Sequence, residues 1–260
     1  MQDKIRHAKG LIKEAVDEYG DQVAVACSWG KDSMVLLHLA LQVKPDIPVF
    51  SILTIHKPKE TFDFVAEVVK KYEMNLRIYM VNDSVPPVLQ QNNVEVTLLP
   101  PDEYRKNAAI IKSETGREIY DEDPNLCCQL LKIIPARYAY RDMNLKAWIA
   151  GLRNTEGHTR LFLSEKETRS QQEAKFNPIL AWVENEVWKY TEDNDVPVHP
   201  WYKKEFPNGK HIRSLGCEPC TVPIYDYESE RDGRWRHTYK RAGECGIHTQ
   251  PLRKLQKDEV

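Results

Sequence analysis

Six cysteines give the clearest chemical signal in this sequence of 260 residues. Four of them form two close pairs, Cys127–Cys128 and Cys217–Cys220. Adjacent cysteines are poorly placed to bridge each other, because a disulfide needs its two Cα atoms more than about 4.4 Å apart. Four thiolates suit either zinc or an iron–sulfur cluster. Zinc sites usually use two C-x-x-C pairs, so the vicinal pair favours one [4Fe–4S] cluster per chain, bound by all four thiolates.

Lys132 lies four positions after Cys128 and five after Cys127. If the intervening residues are helical, Lys132 projects on the same face as Cys128. A lysine there would interact with the negative charge of a cluster and would link it electrostatically to a bound anion. The alternative is a solvated lysine on a helix surface.

A short segment of small and polar residues predicts a phosphate site. Ser28-Trp29-Gly30-Lys31-Asp32-Ser33 lies between an apolar, strand-like run and a helix-forming run. Backbone N–H groups and the helix dipole attract an anion at such a junction. Gly30 permits a tight turn, the hydroxyls of Ser28 and Ser33 can donate to phosphate oxygens, and Lys31 adds a cation. The segment is not a Walker A loop, and the alternative is an ordinary strand-to-helix turn.

A single cysteine near the end, Cys245, stands between Gly243-Glu244 and Gly246. Nearby cations lower the pKa of a thiol and raise its thiolate fraction, and His248 could assist. The sequence therefore predicts a reactive thiol at Cys245, although a free cysteine is more often inert. The cations that precede or flank it are Arg231, Arg234, Arg236, Lys240 and Arg241.

The charge balance and hydropathy exclude several classes of protein. Lys and Arg total 37 while Asp and Glu total 39, which gives a net charge of −2. A dedicated nucleic-acid-binding protein carries a basic excess, so no nucleic-acid partner is expected. No apolar run reaches the roughly 18 residues of a membrane span, and residues 1–7 lack the apolar region of a secretory signal. These patterns predict a cytoplasmic protein with no membrane partner.

Hydrophobic periodicity predicts the elements that carry these residues. Strands are expected at 23–27, 49–53 and 76–80, with a fourth at 147–151, and residues 95–125 show no clear pattern. The intervening helical patterns predict an α/β fold, an open, doubly wound, mostly parallel sheet within residues 1–195. Residues 196–260 have little periodicity, so an irregular C-terminal segment that carries the C-x-x-C pair and the tail is expected to fold over the active face. Helices are predicted at 2–19, 34–41, 60–73 and 184–194.

The ordered set of motifs resembles a known family. The phosphate loop is similar to the S-x-G-x-D-S loop of the PP-loop (adenine-nucleotide α-hydrolase) superfamily. The whole set resembles the assimilatory adenylyl-sulfate reductases of the phosphoadenylyl-sulfate reductase family, in the branch that contains an iron–sulfur cluster. The motifs, which extend over about residues 20–250, are Ser28 to Ser33, Cys127-Cys128-x-x-x-Lys132, Trp148-x-x-Gly151-Leu152-Arg153, Cys217-x-x-Cys220, Arg231-x-Gly233-Arg234-Trp235 and Glu244-Cys245-Gly246-Ile247-His248.

The resemblance implies an oxidoreductase that converts adenosine 5′-phosphosulfate to sulfite and AMP. In that family the tail cysteine, here Cys245, attacks the sulfate sulfur, and thioredoxin or a glutaredoxin-like reductant releases sulfite from the S-sulfocysteine. The cluster on the four paired cysteines organises the site, with Lys132 in the position of the cluster-paired lysine. Cations must neutralise the substrate's negative charge, and the candidates are Lys132, Arg153, Arg231 and Arg234. His248 is a further candidate for substrate binding. A small-molecule substrate is thus expected, and the oligomeric state, including a homo-oligomer, stays open.

Two departures from the family pattern keep alternatives open. Reductases commonly follow the second strand with an Asp-Thr-Gly stretch, whereas this chain reads Leu53-Thr54-Ile55-His56-Lys57-Pro58-Lys59. The extra cations could meet a 3′-phosphate, which leaves 3′-phosphoadenylyl sulfate as an alternative substrate, or they could belong to a solvated loop. Lys31-Asp32 is more typical of enzymes that adenylate with ATP, such as the small subunit of a sulfate adenylyltransferase or a tRNA thiolase. A nucleotide or redox sensor is a further alternative, and it would need no tail thiol.

Overall fold

The computed structural model of this chain describes residues 1–168, 173–240, 244, 246–249 and 252. Within those residues, a seven-stranded sheet forms the centre of the molecule. Its strands are β1 (Val23–Ala26), β2 (Val49–Leu53), β3 (Leu76–Val81), β4 (Glu95–Leu99), β5 (Ala147–Ala150), β6 (Lys166–Thr168) and β7 (Ala174–Phe176).

Helices connect the strands and cover the sheet. The α-helices are α1 (Gln2–Tyr19), α2 (Lys31–Val43), α3 (Lys59–Tyr72), α4 (Pro87–Gln91), α5 (Asp102–Thr115), α6 (Ile119–Glu122), α7 (Pro124–Cys128), α8 (Ile134–Asp142), α9 (Glu184–Asp193) and α10 (Gly246–Thr249). A π-helical turn, Gln129–Ile133, joins α7 to α8. None of the helices in the described ranges combines the length and the apolar composition that a bilayer span requires.

The order of the strands creates a crevice beside β1. The order is β4-β3-β2-β1-β5-β7-β6, and all neighbouring strands are parallel except β6 and β7. The chain therefore winds outward from β1 through β2, β3 and β4, and then crosses to β5 on the other side of β1. In open α/β sheets, ligands bind at this switch point, outside the carboxyl ends of the strands. The segments that follow β1 and β5 are thus placed together at one edge.

The two faces of the sheet carry separate cores because side chains alternate along each strand. Val23 and Val25 of β1 pack with α1, α2, α3 and α9, whereas Ala24 faces the opposite layer. That opposite layer contains Trp148 of β5 and Tyr140 of α8. The predicted fold class, an open, doubly wound, mostly parallel sheet, is confirmed.

Most predicted elements lie where periodicity indicates. The strand predicted at 147–151 is present, but the prediction that it is the fourth strand along the chain is wrong. β5 occupies 147–150 and is the fifth strand, because β4 (Glu95–Leu99) forms within the stretch that has no clear pattern. β4 is an edge strand whose residues are all exposed or half-buried, and such strands carry a weak hydrophobic alternation. The helix predicted at 184–194 is α9.

The segment after residue 195 is built from short turns and isolated bridges. It contains 3₁₀ turns at Pro200–Lys203, Pro207–Gly209 and Glu218–Cys220. Tyr202 reaches the start of α2, where its hydroxyl accepts the backbone N–H of Lys31 at 3.2 Å. The segment thus touches the first strand-to-helix junction, whereas the division into units 1–195 and 196–260 stays a prediction.

Candidate active site and cysteine centre

A cleft lies at the carboxyl ends of β1, β2 and β5, and its volume, together with the open solvent at its mouth, is about 1010 Å³. The predicted site residues Ser28, Gly30 and Ser33 line it from the β1–α2 junction. From other parts of the chain, the predicted residues that line the same cleft are Lys132, Arg231, Arg234 and His248. The fold thus brings together seven of the predicted substrate-binding residues.

The β1–α2 loop presents hydroxyls at the N-terminus of α2. The Oγ atoms of Ser28 and Ser33 are 3.2 Å apart, and the Ser33 hydroxyl donates to the Gly30 carbonyl at 2.9 Å. A helix N-terminus with adjacent hydroxyl donors is an anion-binding arrangement. Cys27, at the start of this loop, is buried, and burial raises its pKa to about 11, so it stays a thiol at neutral pH.

Trp29 holds the backbone of this loop in an uncommon conformation. Its φ is 68°, in the left-handed region that a bulky residue rarely adopts. The indole is fully buried and donates from Nε1 to the Ser51 hydroxyl of β2 at 2.7 Å. Such conformations persist only where the surroundings fix them, and they cluster at functional sites. The buried indole therefore anchors the turn that exposes Ser28 and Gly30.

Lys31 and Arg153, both predicted to bind substrate, do not line the cleft. Lys31 Nζ lies 2.7 Å from Glu230 Oε2, and Arg153 donates to the same carboxylate oxygen at 2.5 Å and to Asp32 at 2.5 Å. Burial disfavours the charged Lys31 ammonium, but Asp32, Tyr202 and Glu230 outweigh it and raise the pKa. These residues form a largely buried ion cluster beside the loop, which we call the rear ion cluster (Lys31, Asp32, Arg153 and Glu230); of the four, Asp32 also lines the cleft.

A second group of ion pairs holds Glu244 in the cleft wall. Arg160 contacts both oxygens of Glu244, from Nε at 2.6 Å and from Nη2 at 2.9 Å. Arg231 reaches Glu244 Oε1 at 3.1 Å. Burial would raise the pKa of Glu244, but the two arginines hold it well below its usual range. Sequence reasoning missed Arg160, because it lies in an irregular stretch after β5 with no motif around it.

Two further cations in the cleft have no carboxylate partner. Lys57 is 8% exposed, and its Nζ lies 3.4 Å from the Ser28 carbonyl oxygen. Arg234 is also buried, donates to the Leu215 carbonyl at 2.9 Å and lies 4.4 Å from the centre of the Trp235 ring. In the described part of the chain, neither side chain forms an ion pair. Burial, with Lys132 and Arg234 nearby, lowers the pKa of Lys57 to about 8.

The four paired cysteines line one cavity beside the cleft. Cys127 and Cys128 end α7, Cys217 precedes the turn Glu218–Cys220 and Cys220 ends it, and all four are buried. Lys132, on the π-helical turn, lines both this cavity and the cleft. Burial would raise the pKa of the Cys217 thiol, but Lys132, Lys57 and a hydrogen bond with Thr54 leave it below its ordinary value.

The donor set of this cavity, four cysteines, is the one that a [4Fe–4S] cluster uses. Among the described residues, no group of three or more His, Cys, Asp or Glu side chains is arranged to hold one metal ion. A [4Fe–4S] cube does not require such convergence, because each thiolate binds a different iron atom. Four buried thiols around a common cavity of about 350 Å³, with a lysine at its wall, have the chemistry that a cube needs.

The tail approaches the cleft on both sides of the predicted nucleophile. Cys245 itself lies outside the described residues, whereas Glu244, Ile247 and His248 line the cleft. The imidazole of His248 stacks on the Trp148 indole, with ring centres 6.0 Å apart and an angle of 17° between the planes.

Comparisons with known proteins show the family and the fold of this chain. A family model described as phosphoadenosine phosphosulfate reductase domain matches residues 22–223. Adenosine 5′-phosphosulfate reductase from Halalkalibacterium halodurans is 32% identical over 240 residues, which is 92% of this chain and 90% of that protein. Adenosine 5′-phosphosulfate reductase 1 from Bacillus subtilis is 30% identical over 249 residues, which is 95% of this chain and 92% of that protein.

Among solved structures, the phosphoadenylyl-sulfate reductase of Candida auris, in a phosphate complex, has the same fold. The TM-score is 0.61 at 21% identity, and the match covers 83% of this chain and 90% of that one. Because the family model matches most of the length of this chain, the chain belongs to the phosphoadenosine phosphosulfate reductase family.

Proposed function

We propose that this chain reduces adenosine 5′-phosphosulfate to sulfite and AMP, with Cys245 as the nucleophile. One observation carries the proposal: the residues beside Cys245 in the tail line the same cleft as the phosphate loop and the buried cations. The names of relatives that share about a third of the sequence over nearly the whole chain support the choice of substrate.

The reaction follows from the charges in the cleft. The phosphosulfate lies on the loop of Ser28, Gly30 and Ser33, where N–H and hydroxyl donors meet its oxygens. A thiolate approaching this anion is repelled, so the cations Lys132, Arg231 and Arg234 lower the barrier by neutralising charge. His248, a residue of the tail that lines the cleft, is in position to contact the nucleotide. Lys31 and Arg153 act indirectly, because they do not line the cleft and their charges are paired with Glu230 and Asp32.

The chemical steps balance as a two-electron reduction. The Cys245 thiolate forms a sulfur–sulfur bond to the sulfate sulfur, and the bond from that sulfur to the phosphate oxygen breaks, so AMP leaves with the electron pair. A dithiol reductant of the thioredoxin or glutaredoxin type then attacks the Cys245 sulfur of the S-sulfocysteine and sulfite leaves. The second thiol of the reductant closes its disulfide and frees Cys245. The reductant supplies both electrons.

The cysteine cavity is proposed to hold one [4Fe–4S] cluster on Cys127, Cys128, Cys217 and Cys220. When bound, the cluster would supply a fixed block of negative charge and a link between α7 and the C-terminal segment. Lys132 lies at the wall between the two sites and is in position to balance charge on both sides.

Anaerobic incubation with a reduced thioredoxin tests the function. The wild-type protein should release sulfite from adenosine 5′-phosphosulfate. Cys245→Ser should bind the nucleotide yet release no sulfite, and only the wild type should gain the mass of one SO₃ group on Cys245 before the reductant is added. Cys27→Ser is the matched control, since that thiol is buried and should form no adduct.

Three outcomes would overturn parts of the proposal. Sulfite release by Cys245→Ser would remove the assigned nucleophile. Pyrophosphate release from ATP without sulfite formation would favour an ATP-using enzyme of the same fold. Iron and acid-labile sulfide analysis of the same sample tests the cluster, and zinc in place of iron would contradict it.

A further inference from the structure

Lys57 belongs to a segment that departs from the family pattern, and its surroundings call for an anion. Its side chain is 8% exposed, and within the described residues its ammonium has one polar contact, the Ser28 carbonyl at 3.4 Å. A buried ammonium without a carboxylate partner is costly, by several kcal/mol in a protein interior. Lys132 and Arg234 disfavour its charge further, whereas the Cys217 and Cys27 thiols favour it and offset only part of the burial. An anionic ligand bound in the cleft beside Lys57 would therefore stabilise the charged ammonium.

The position of Lys57 indicates which anion it meets. Lys57 lines the cleft with Ser28, Gly30 and Ser33, and it does not line the cysteine cavity, whereas Lys132 lines both. The side chain therefore lines the ligand cleft, although its charge also lowers the pKa of the Cys217 thiol behind it. Its contact with the Ser28 carbonyl places it at the loop that would hold the phosphosulfate.

The neighbouring cation, Lys59, differs in every respect. It is the first residue of α3, is exposed and does not line the cleft. The solvated-loop alternative therefore describes Lys59 but not Lys57. His56 is also occupied, since its Nε2 lies 2.6 Å from the Tyr104 hydroxyl.

We propose that Lys57 is a substrate-binding residue that contacts the phosphosulfate group, and that it does not read a 3′-phosphate. This inference rests on the proposed function. It assigns the departure after β2 to a cation at the reacting end of the nucleotide. The same contact serves adenosine 5′-phosphosulfate and its 3′-phosphorylated form, because the two share that end.

The test compares Lys57→Met, Lys57→Arg and Lys59→Met as cluster-loaded proteins. Loss of a charge-assisted contact should raise the KM for adenosine 5′-phosphosulfate about tenfold to a hundredfold in Lys57→Met. The KM for 3′-phosphoadenylyl sulfate should rise by the same factor wherever it is turned over. Lys57→Arg should recover part of the affinity, and Lys59→Met should match the wild type. Lys57→Met should unfold at the same temperature or higher, since it removes an unpaired buried charge.

Two results would overturn the inference. A loss confined to the 3′-phosphorylated nucleotide would make Lys57 a reader of that phosphate. An unchanged KM together with a changed iron content or visible absorption spectrum would assign Lys57 to the cysteine centre. Direct binding of AMP and of adenosine separates this inference from the proposed function: Lys57→Met should weaken AMP binding and spare adenosine even if the wild type forms no sulfite.

Discussion

Lys31 and Lys57 are both buried lysines beside the β1–α2 loop, but their surroundings are opposite. Lys31 lies in the rear ion cluster, where Glu230 is 2.7 Å away and Asp32 is 3.4 Å away. Lys57 lines the cleft, and among the described residues it pairs with no carboxylate; its ammonium contacts the Ser28 carbonyl oxygen. Burial penalises both charges, and carboxylates compensate for it only behind the loop. A paired buried cation therefore holds the fold together, whereas an unpaired one marks the place of a ligand anion.

The largest expected effect comes from removing the shared carboxylate of the rear ion cluster. Glu230→Gln leaves Lys31 and Arg153 buried with one negative charge fewer between them. Breaking a buried ion pair by removing one partner typically costs about 3–5 kcal/mol. Urea unfolding should show a loss of this size in the free energy of unfolding.

The exposed pair Lys189–Asp193 supplies the control for that experiment. Its side chains are 62% and 50% exposed, so Asp193→Asn should cost no more than about 1 kcal/mol. If Glu230→Gln lowered the free energy of unfolding no more than Asp193→Asn does, the rear ion cluster would not stabilise the fold. The contrast between Lys31 and Lys57 would then be wrong.

Gly216→Ala should produce the reverse pattern on the cleft side, with little loss of stability and a clear loss of activity. A Cβ atom at Gly216 would lie 2.3 Å from Cζ of Arg234, so the guanidinium must move. The displaced group is the end of a flexible side chain, so we expect stability to change by no more than about 1 kcal/mol. Displacement of a cation from the substrate should lower kcat/KM by about tenfold, which is about 1.4 kcal/mol.

Gly10→Ala in α1 is the matched control for Gly216→Ala. No heavy atom lies within 4 Å of a Cβ built there, and alanine in a helix interior is more stable than glycine by about 0.5–1 kcal/mol. It should leave kcat/KM unchanged. Wild-type kcat/KM in Gly216→Ala would mean that Arg234 does not act on the substrate.

The rear ion cluster should also make the free energy of unfolding depend on pH. Burial would raise the pKa of Asp32, but Lys31 and Arg153 outweigh it and lower the pKa to about 2. The pKa of Asp32 in the folded state is below the unfolded value of about 4. The interactions of its carboxylate with Lys31 and Arg153 therefore contribute stability above pH 4 that is lost as the pH falls from about 4 to 2. Asp32→Asn should flatten the dependence of the unfolding free energy on pH in this window. An equally steep profile in the variant would assign the acid sensitivity to other carboxylates.

The sheet and the loop could be predicted from local pattern, because strand-length apolar runs alternate with amphipathic helices. β4 could not, since an edge strand such as Glu95–Leu99 has no fully buried face to impose an alternation. The residues that line the cleft could be predicted only where a motif carried them. Ser28 and Arg234 are examples of residues that lie in such motifs.

The roles of charged residues that depend on partners distant along the chain could not be predicted from the sequence. Arg153 and Arg231 look equivalent in their motifs, yet Arg153 pairs with Asp32 and Glu230 outside the cleft lining, while Arg231 lines the cleft and pairs there with Glu244. Arg160 has no motif, and only the folding of the chain brings it to Glu244. Charge pairing is decided by residues that are far apart along the chain, and spacing alone does not encode it.

The π-helical turn Gln129–Ile133 sets the direction in which Lys132 projects relative to Cys127 and Cys128. Its i→i+5 hydrogen bonding gives a wider turn than an α-helix, so a residue five positions on returns nearer to the same side. Lys132 can thereby face Cys127 as well as Cys128, whereas in a regular helix it would share a side with Cys128 alone. Deleting one residue here would rotate the doublet by about 100° relative to α8. The distance in residues between the doublet and its lysine therefore sets a direction, and it cannot be shortened without turning the thiols away from their cavity.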